Sequence, residues 1–406
     1  MSIFDKFQPI AAALQRVLES GKSPFGVVTQ ELHSATEGVI NGHEVILAGT
    51  NNYLGLTFAP ECIEAGKQAL DKEGTGTTGS RMANGTYAGH VALEQELAEF
   101  LGTPSAIVFT TGYQATMGVV STLMGQGDVI LLDADSHASI YDGSRRGGAD
   151  FLRFHHNSVE DLEKRLSSLG ERASKALIVV EGIYSMLGDR APLREIVEIK
   201  RRYGSYLLVD EAHSLGVLGE KGRGLAEEEG VEDEVDFIVG TFSKSLGSVG
   251  GFCVSRHPEL ELLRYSIRPY IFTASSTPSA IASTRAALAL VRSKPEIRQH
   301  LWENSRRVYS GLKDLGFQVG PEPSPVVATV MKNREEAVTA WNKLLSLGVY
   351  VNLVLPPAAP KSSSLLRCSI SASHTKEQID RILEAYATLV DQNHAVSSAS
   401  CKVAIT

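Results

Sequence analysis

The chain has 406 residues, with 39 Lys and Arg against 47 Asp and Glu, and a formal net charge of −8. Hydrophobic residues make up 43% and charged residues 21%, which excludes a disordered, collagenous or low-complexity chain. The mildly acidic balance provides no broad basic surface for nucleic acid or anionic lipid. The length fits two or three lobes, at roughly 100–200 residues per domain.

The cysteines and the N-terminus indicate the cellular setting. Without a Cys-x-x-Cys pair, the sequence predicts neither a zinc site nor a disulfide framework, and we expect free thiols and no metal. The first residues lack the basic and apolar regions of a signal peptide. No stretch reaches the roughly 18 uninterrupted apolar residues of a spanning helix. These features predict a soluble, cytoplasmic protein. The cysteines are Cys62, Cys253, Cys368 and Cys401.

The N-terminal part of the chain begins with helical periodicity. Apolar residues at helical spacing predict an amphipathic helix over 1–20, ended by Gly21. A short strand is predicted over 44–50 and a helix over 59–72, which leads into the glycine-rich segment 74–89.

From about residue 90, helical stretches alternate with short, almost wholly apolar runs. Such runs are typical of a parallel sheet buried on both faces. The alternation predicts right-handed crossovers and a doubly wound, mostly parallel α/β domain. The predicted helices are 91–101, 113–125, 158–169 and 193–203. The predicted strands are 106–109, 129–132, 176–181, 206–210, 237–240 and 252–255.

After about residue 285 the rhythm changes to that of a smaller α+β domain. A capping box, Thr375 to Gln378, opens its final helix. The other predicted elements are a helix at 296–315, strands near 316–319 and 326–332, a helix at 334–347, and strands near 349–354 and 365–371. We therefore predict an N-terminal helix and strand segment (1–55), a large domain (56–285), a small domain (286–392) and a frayed tail (393–406).

The segment Gly74–Gly79 matches Gly-x-Gly-x-x-Gly, which is also a dinucleotide fingerprint. A true fingerprint leaves a strand and opens a helix. Here the preceding residues 65–72 are predicted to be helical, so we reject a nicotinamide site. The glycines are more typical of a turn that lets backbone approach a ligand or another chain.

Polar residues follow the carboxyl ends of five predicted strands, the edge where open α/β sheets bind ligands. An enzyme that uses pyridoxal 5′-phosphate needs a lysine amine for a Schiff base, a carboxylate for the pyridine nitrogen, and phosphate donors. Lys244 and Asp210 suit the first two needs. The backbone N–H groups of Gly112 and Tyr113, at a predicted helix start, suit the phosphate.

Three more residues at these strand ends suit the same cofactor. His137 could stack on its ring, and His213 and Ser185 could hydrogen-bond its phenolic oxygen. Taken singly, a lysine is usually a solvated charge, an aspartate often caps a helix, and a histidine is usually a core residue. At successive strand ends of one sheet, the set predicts a cofactor site.

These residues and their neighbours resemble the α-oxoamine synthases, a family of fold-type I pyridoxal-phosphate enzymes with a large α/β domain and a smaller C-terminal domain. The family condenses an amino acid with an acyl-CoA and releases CO₂. The resemblance extends from about residue 40 to 392. The motifs that carry it are Asn51–Gly55, Thr110–Tyr113, Asp135–Ser139, Asp210–Ser214, Gly240–Ser245, Tyr270–Ser275 and Leu366–Ile370.

Within the family, the sequence is similar to the members that join L-serine to palmitoyl-CoA to form 3-oxosphinganine, CoA and CO₂. The segment Pro356–Pro360 is similar to a mobile loop of those members, with Ala359 in place of their threonine. The other similar stretches are Gly79–Thr86, His137–Asp142, Val180–Asp189 and Arg268–Ser275.

The resemblance also implies residue roles around the cofactor. Lys244 would form the Schiff base and then remove the substrate α-proton, and Asp210 would pair with the pyridinium. His137 would stack on the ring, with His213 and Ser185 on its phenolate oxygen.

Further roles involve the phosphate and the substrate. Thr241 would join the Gly112 and Tyr113 amides on the phosphate, and Thr273 and Ser275 would reach it across a homodimer interface, so that the active sites are shared. Arg367 would bind the amino-acid carboxylate through two hydrogen bonds, assisted by Asn52.

Other functions stay open at this point. Another family member could pair alanine with pimeloyl-CoA, glycine with acetyl-CoA, or a different pair in a secondary-metabolite pathway. A fold-type I aminotransferase or decarboxylase would need no CoA. A non-catalytic partner subunit is disfavoured because Lys244 is present and no DNA-binding segment is appended.

Overall fold

A computed structural model describes residues 2–19, 23–356, 358–359 and 363–402. Its strands are β1 (Thr29–Leu32), β2 (Glu37–Ile40), β3 (His43–Leu47), β4 (Ser105–Phe109), β5 (Val129–Asp133), β6 (Asp150–Phe154), β7 (Leu177–Glu181), β8 (Tyr206–Asp210), β9 (Phe237–Thr241), β10 (Gly251–Ser255), β11 (Val326–Met331), β12 (Val349–Tyr350), β13 (Asn352–Val354) and β14 (Ser364–Ser369).

The helices lie before, between and after these strands. They are α1 (Gln8–Glu19), α2 (Pro60–Glu73), α3 (Ala88–Leu101), α4 (Gly112–Leu123), α5 (Ala138–Gly147), α6 (Val159–Ser168), α7 (Leu193–Tyr203), α8 (Leu225–Glu228), α9 (Leu260–Leu263), α10 (Arg268–Phe272), α11 (Pro278–Ser293), α12 (Pro295–Asp314), α13 (Arg334–Ser346) and α14 (Lys376–Lys402).

The larger of two compact units comprises residues 51–185 and 189–300. Its seven-stranded sheet has the order β4-β10-β9-β8-β7-β5-β6. Strand β10 runs antiparallel to both β4 and β9, and the other neighbours pair in parallel. Every residue of β5, β7, β9 and β10 is buried, as expected for a sheet covered on both faces. The predicted doubly wound, mostly parallel fold is confirmed.

Helix α4 determines how this sheet supports a site. Val119 and Val120 of α4 are fully buried in one core cluster with Ile130 of β5 and Val239 of β9. Because this packing holds α4 against the middle of the sheet, the helix starts beside the carboxyl ends of the strands.

The second unit comprises residues 1–50, 186–188 and 301–406. It contains a four-stranded sheet, β1-β2-β3-β12, and a three-stranded sheet, β11-β14-β13. Its core includes Trp341 of α13, whose indole N–H donates to the carbonyl of Val351 at 2.8 Å. The predicted capping box is confirmed, since Thr375 and Gln378 each accept the other's backbone N–H. Among the described helices, none combines the length and the apolar character needed to span a bilayer.

The division into units differs from the predicted boundaries at 55 and 285. Helix α11 packs on α2 and α3, so residues beyond 285 stay with the large unit. Residues 1–50 join the C-terminal unit because β12 pairs in parallel with β3. Helix α14 continues to Lys402, where we predicted a tail from residue 393.

The structure also tests several local predictions. In place of the strand predicted near 316–319, Val319 forms an isolated bridge to Thr329. The Gly74–Gly79 motif follows helix α2, as expected. Cys62, Cys253 and Cys368 are free and buried. Gly21, Pro357 and Pro360 lie outside the described residues, and so does the end of the predicted tail from 403.

Candidate active site

Seven of the twelve predicted site residues line one cavity of about 280 Å³ at the carboxyl ends of the sheet strands. Since these residues come from four separate segments, the fold brings them together at the edge where open α/β sheets bind ligands. They are Gly112, Tyr113, His137, Asp210, His213, Thr241 and Lys244.

One wall of the cavity is the first turn of helix α4. The Thr111 hydroxyl caps this helix by accepting the N–H of Gln114 at 3.2 Å. A β-carbon at Gly112 would lie 2.7 Å from the β-carbon of Thr241, so only glycine fits between the helix start and β9. Backbone N–H groups at the positive end of a helix bind anions well, and Gly112 and Tyr113 both line the cavity at this end.

Asp210 ends strand β8 and is buried. Its carboxylate accepts the Ala212 N–H at 2.9 Å and the Thr116 hydroxyl at 3.3 Å. These two donors fix the orientation of the carboxylate toward a cavity that it also lines. A buried, fixed carboxylate is suited to holding a protonated ring nitrogen by charge.

His137 caps helix α5, and its backbone N–H donates to the carboxylate of Glu181. Its ring Nδ1 lies 2.7 Å from the Ser139 hydroxyl. Burial lowers the pKa of His137, the charge of Asp210 opposes this change, and that of Lys244 adds to it. The ring is therefore neutral near pH 7, which suits it to stacking on a flat conjugated system.

Lys244 and Thr241 come from the segment that follows β9. The Thr241 hydroxyl donates to the Gly250 carbonyl at 3.0 Å and accepts the Ser243 N–H at 3.2 Å. These bonds form a turn directly after strand β9, so that Lys244 lines the same cavity as Thr241. On the other side, His213 Nδ1 lies 2.6 Å from the hydroxyl of Tyr53, which is fully buried.

Ser185, Thr273 and Ser275 are not among the lining residues of this cavity. Ser185 lies in the segment that follows strand β7 and does not line the cavity. Thr273 and Ser275 line a separate pocket of about 10 Å³. The Ser275 hydroxyl donates to the Gly85 carbonyl at 2.6 Å and lies 2.7 Å from the Thr77 hydroxyl.

Asn52 and Arg367, the predicted substrate-binding residues, are also placed elsewhere. The buried Asn52 amide donates to the Thr57 hydroxyl at 2.7 Å, while its Oδ1 has no hydrogen-bond partner within the described part of the chain. Arg367 lies in β14 of the second unit, buried, and donates to the Ser369 hydroxyl at 2.7 Å.

Sequence reasoning missed Glu181, Thr116 and Tyr53. Glu181 lines the cavity and is paired with Asp210 across β7 and β8. Burial, followed by the charge of Asp210, raises the pKa of Glu181 well above its usual range. A signal was present, because Glu181 ends an otherwise apolar strand as Asp210 does. Thr116 and Tyr53 act through side-chain bonds to Asp210 and His213 that spacing alone does not indicate.

The residues at this cavity fit pyridoxal 5′-phosphate. This cofactor requires a lysine amine, a buried carboxylate of fixed orientation, a neutral imidazole, and a helix N-terminus where a glycine allows close approach. The cavity provides all four. In the described part of the chain, no cluster of three or more His, Cys, Asp or Glu is arranged to hold a metal. The fold and the site together define a pyridoxal-phosphate-dependent transferase of fold type I.

Comparisons with known proteins agree. Residues 43–385 match the model of the family Aminotransferase class I and II. The serine palmitoyltransferase of Caulobacter vibrioides is 58% identical over 95% of this chain and 96% of its own length. The structure of the Sphingomonas wittichii serine palmitoyltransferase has a TM-score of 0.95 at 51% identity, covering 97% of this chain and all of that one.

A structure of a serine palmitoyltransferase with its PLP internal aldimine has a TM-score of 0.94 at 49% identity, covering 96% of this chain and 98% of that one. The chain belongs to the aminotransferase class I and II family and, within it, to the α-oxoamine synthases. The predicted family, enzyme class and cofactor are confirmed.

Proposed function

We propose that the chain catalyses the decarboxylative condensation of L-serine with palmitoyl-CoA to 3-oxosphinganine, CoA and CO₂. In this reaction the serine α-carbon forms a bond to the thioester carbonyl carbon, the C–S bond breaks with release of the CoA thiol, and the carboxylate leaves as CO₂. The observation that carries the proposal is the 58% identity, over 95% of the chain, with the Caulobacter vibrioides serine palmitoyltransferase.

When bound, pyridoxal 5′-phosphate supplies an aldehyde that condenses with amines and a ring that accepts electrons. Lys244 holds this group through its amine and then takes the serine α-proton on Nζ. Asp210, fixed by Thr116 and Ala212, keeps a proton on the ring nitrogen.

The other lining residues bind and orient. The Gly112 and Tyr113 amides and the Thr241 hydroxyl hold the phosphate. The neutral ring of His137 stacks on the cofactor, and His213, braced by the Tyr53 hydroxyl, bonds to the phenolate oxygen together with Ser185.

Arg367 and Asn52 are the residues proposed to bind the amino-acid substrate. The buried guanidinium of Arg367 binds the serine carboxylate, because a planar guanidinium can grip a carboxylate at two points. The Asn52 Oδ1, buried and without a partner among the described residues, accepts a hydrogen bond from the substrate.

We also propose a cytoplasmic homodimer. Leu262, Tyr265 and Phe272 precede Thr273 closely in the chain and are 65, 70 and 73% exposed. Several large apolar side chains left exposed in one short segment support a partner contact there, and with it the contribution of Thr273 and Ser275 to the partner's site. The buried free thiols fit a reducing compartment. Light scattering of the holoenzyme at the mass of two chains would support the dimer, and a monomer would contradict it.

Thiol release from the cofactor-loaded protein tests the reaction. Palmitoyl-CoA and short acyl-CoAs are each combined with serine, alanine, glycine or no amino acid, and 3-oxosphinganine is identified by mass. Release with serine and the long chain supports the proposal. Thiol release with another pair contradicts the substrate assignment but keeps the family. If no pair of amino acid and acyl-CoA releases the thiol, the proposed reaction is contradicted.

A further inference from the structure

Outside the cavity, the larger unit contains a partly buried histidine between two carboxylates. His156 follows strand β6, and its Nδ1 lies 2.8 Å from an oxygen of Asp133 while its Nε2 lies 2.6 Å from an oxygen of Asp189. Either neutral tautomer would turn a ring lone pair toward a carboxylate, so both nitrogens must carry a proton. The carboxylate of Asp135 lies 3.9 Å from the same Nδ1.

The charge balance agrees with the geometry. Burial works against a charged ring, but the hydrogen bonds and charges of Asp133 and Asp189 outweigh it and raise the pKa of His156 to about 10. The ring of Tyr184 packs against the imidazole, at 4.5 Å between ring centres and nearly perpendicular. At neutral pH the group is therefore a cation held between two buried anions and packed against an aromatic ring.

Asp133 connects this cation to the segment that carries His137. Asp133 is fully buried at the end of β5. One of its carboxylate oxygens accepts the Asp135 N–H at 2.8 Å, and its backbone carbonyl accepts the Ser136 N–H at 3.1 Å. These bonds shape the turn that ends at His137.

Asp189 connects the same cation to the segment that carries Ser185. Its backbone carbonyl accepts the Tyr184 N–H at 2.8 Å, one residue before Ser185. The Asn157 amide donates to the Asp189 carboxylate at 3.1 Å and to the Arg190 carbonyl at 2.8 Å. The chain after β7 is thus tied to the chain after β6 through His156 and Asn157.

We propose that His156 is a positioning residue that fixes the two turns bearing His137 and Ser185 against the cofactor. This inference rests on the proposed function, in which those two residues contact the ring. His156 does not line the cavity and touches no reacting atom. It acts through Asp133 on one turn and through Asp189 on the other.

His156→Gln tests this role, because glutamine carries no charge and has one donor nitrogen in place of the two ring nitrogens that face Asp133 and Asp189. The matched control is His155→Gln at the preceding position, where the side chain is 83% exposed and pairs only at the surface with Asp161. Cofactor content per chain, visible circular dichroism of the bound cofactor, kcat, KM for serine and Tm are measured on both holoenzymes.

For His156→Gln we expect kcat/KM per loaded site to fall about tenfold to a hundredfold, the loss typical of a small misplacement of site groups, with an altered visible dichroism band. His155→Gln should stay within about twofold. An unchanged band and kcat/KM per loaded site, with a lower Tm alone, would show a purely structural role and overturn the proposal.

Asp189→Asn keeps the proposal testable if His156→Gln does not fold. It retains an acceptor for His156 but loses the charge, so we expect the same changes at smaller size. The double variant should fall short of the product of the two single effects, because both act through one contact; full multiplication would contradict the link. If the wild type releases no thiol, the proposed function fails, while the dichroism comparison still decides the role of His156.

Discussion

Two clusters of buried charge in the larger unit differ in what faces them. Glu94 of α3 accepts two bonds from Arg81, at 2.9 and 3.2 Å, and a third from Arg264 at 2.9 Å, and the pocket beside Arg81 measures only about 10 Å³. The cluster of Asp210, Glu181 and Lys244 faces about 280 Å³.

This difference separates structural from functional charge. The groups around Glu94 satisfy one another, so that cluster joins α3 to the segments of Arg81 and Arg264. The groups around Asp210 are held by protein on one side and are open to a ligand on the other. A buried charge is therefore a better marker of function when a cavity adjoins it.

Lys244→Ala gives the largest expected effect. Loss of the amine removes both the attachment point of the cofactor and the acceptor of the α-proton, so kcat should fall by about 10³-fold or more. Thiol release with serine and palmitoyl-CoA measures the loss. Lys221→Ala, at an exposed position, should keep wild-type activity. Turnover by Lys244→Ala within tenfold of wild type would show that the open cluster is not the catalytic one.

Glu94→Gln tests the closed cluster. Removing this charge leaves the buried guanidinium of Arg81 without its carboxylate, while Arg264 keeps its bonds to Glu261. Breaking a buried ion pair in this way typically costs about 3–5 kcal/mol of unfolding free energy. Urea unfolding measures the cost, and kcat per folded molecule should change by less than about twofold. The control is Glu99→Gln, whose side chain is 69% exposed and should cost no more than about 0.5 kcal/mol. Equal costs for the two variants would contradict the contrast.

Glu211 gives a smaller, pH-dependent effect. Burial raises the pKa of this carboxyl from 4.5 to about 7, despite hydrogen bonds from Ser214 and two backbone N–H groups. Between these two pH values the folded chain binds more protons than the unfolded chain, so the contribution of Glu211 to stability falls as pH rises. At about 1.4 kcal/mol per pH unit, the loss is about 3 kcal/mol.

Urea unfolding of wild type and Glu211→Gln at about pH 5 and about pH 7.5 checks this expectation. The stability of wild type relative to the variant should decrease at the higher pH. A constant difference would mean that the neutral donors around Glu211 hold its charge as well as the arginines hold that of Glu94.

The sequence predicted the large sheet well because its strands are apolar runs buried on both faces. It missed β1, whose four residues are all exposed, and β6, a half-exposed edge strand, because neither shows a continuous apolar run. Lys244 and Asp210 were found because each follows such a run. Tyr53 was not, since its bond to His213 joins residues 160 positions apart.

The antiparallel strand β10 has a consequence for how the chain is made. Strand β4 lies at the sheet edge, and its neighbour in the sheet is β10, with Phe109 opposite Gly251. During synthesis, β4 and the start of α4 leave the ribosome long before residue 251. Strand β4 therefore stays unpaired until β10 has been synthesised. Such delayed long-range pairing is slow and leaves strand edges exposed. The anion-binding turn at Gly112 is thus synthesised early among the parts of the site, but its position is fixed late, when β4 pairs with β10.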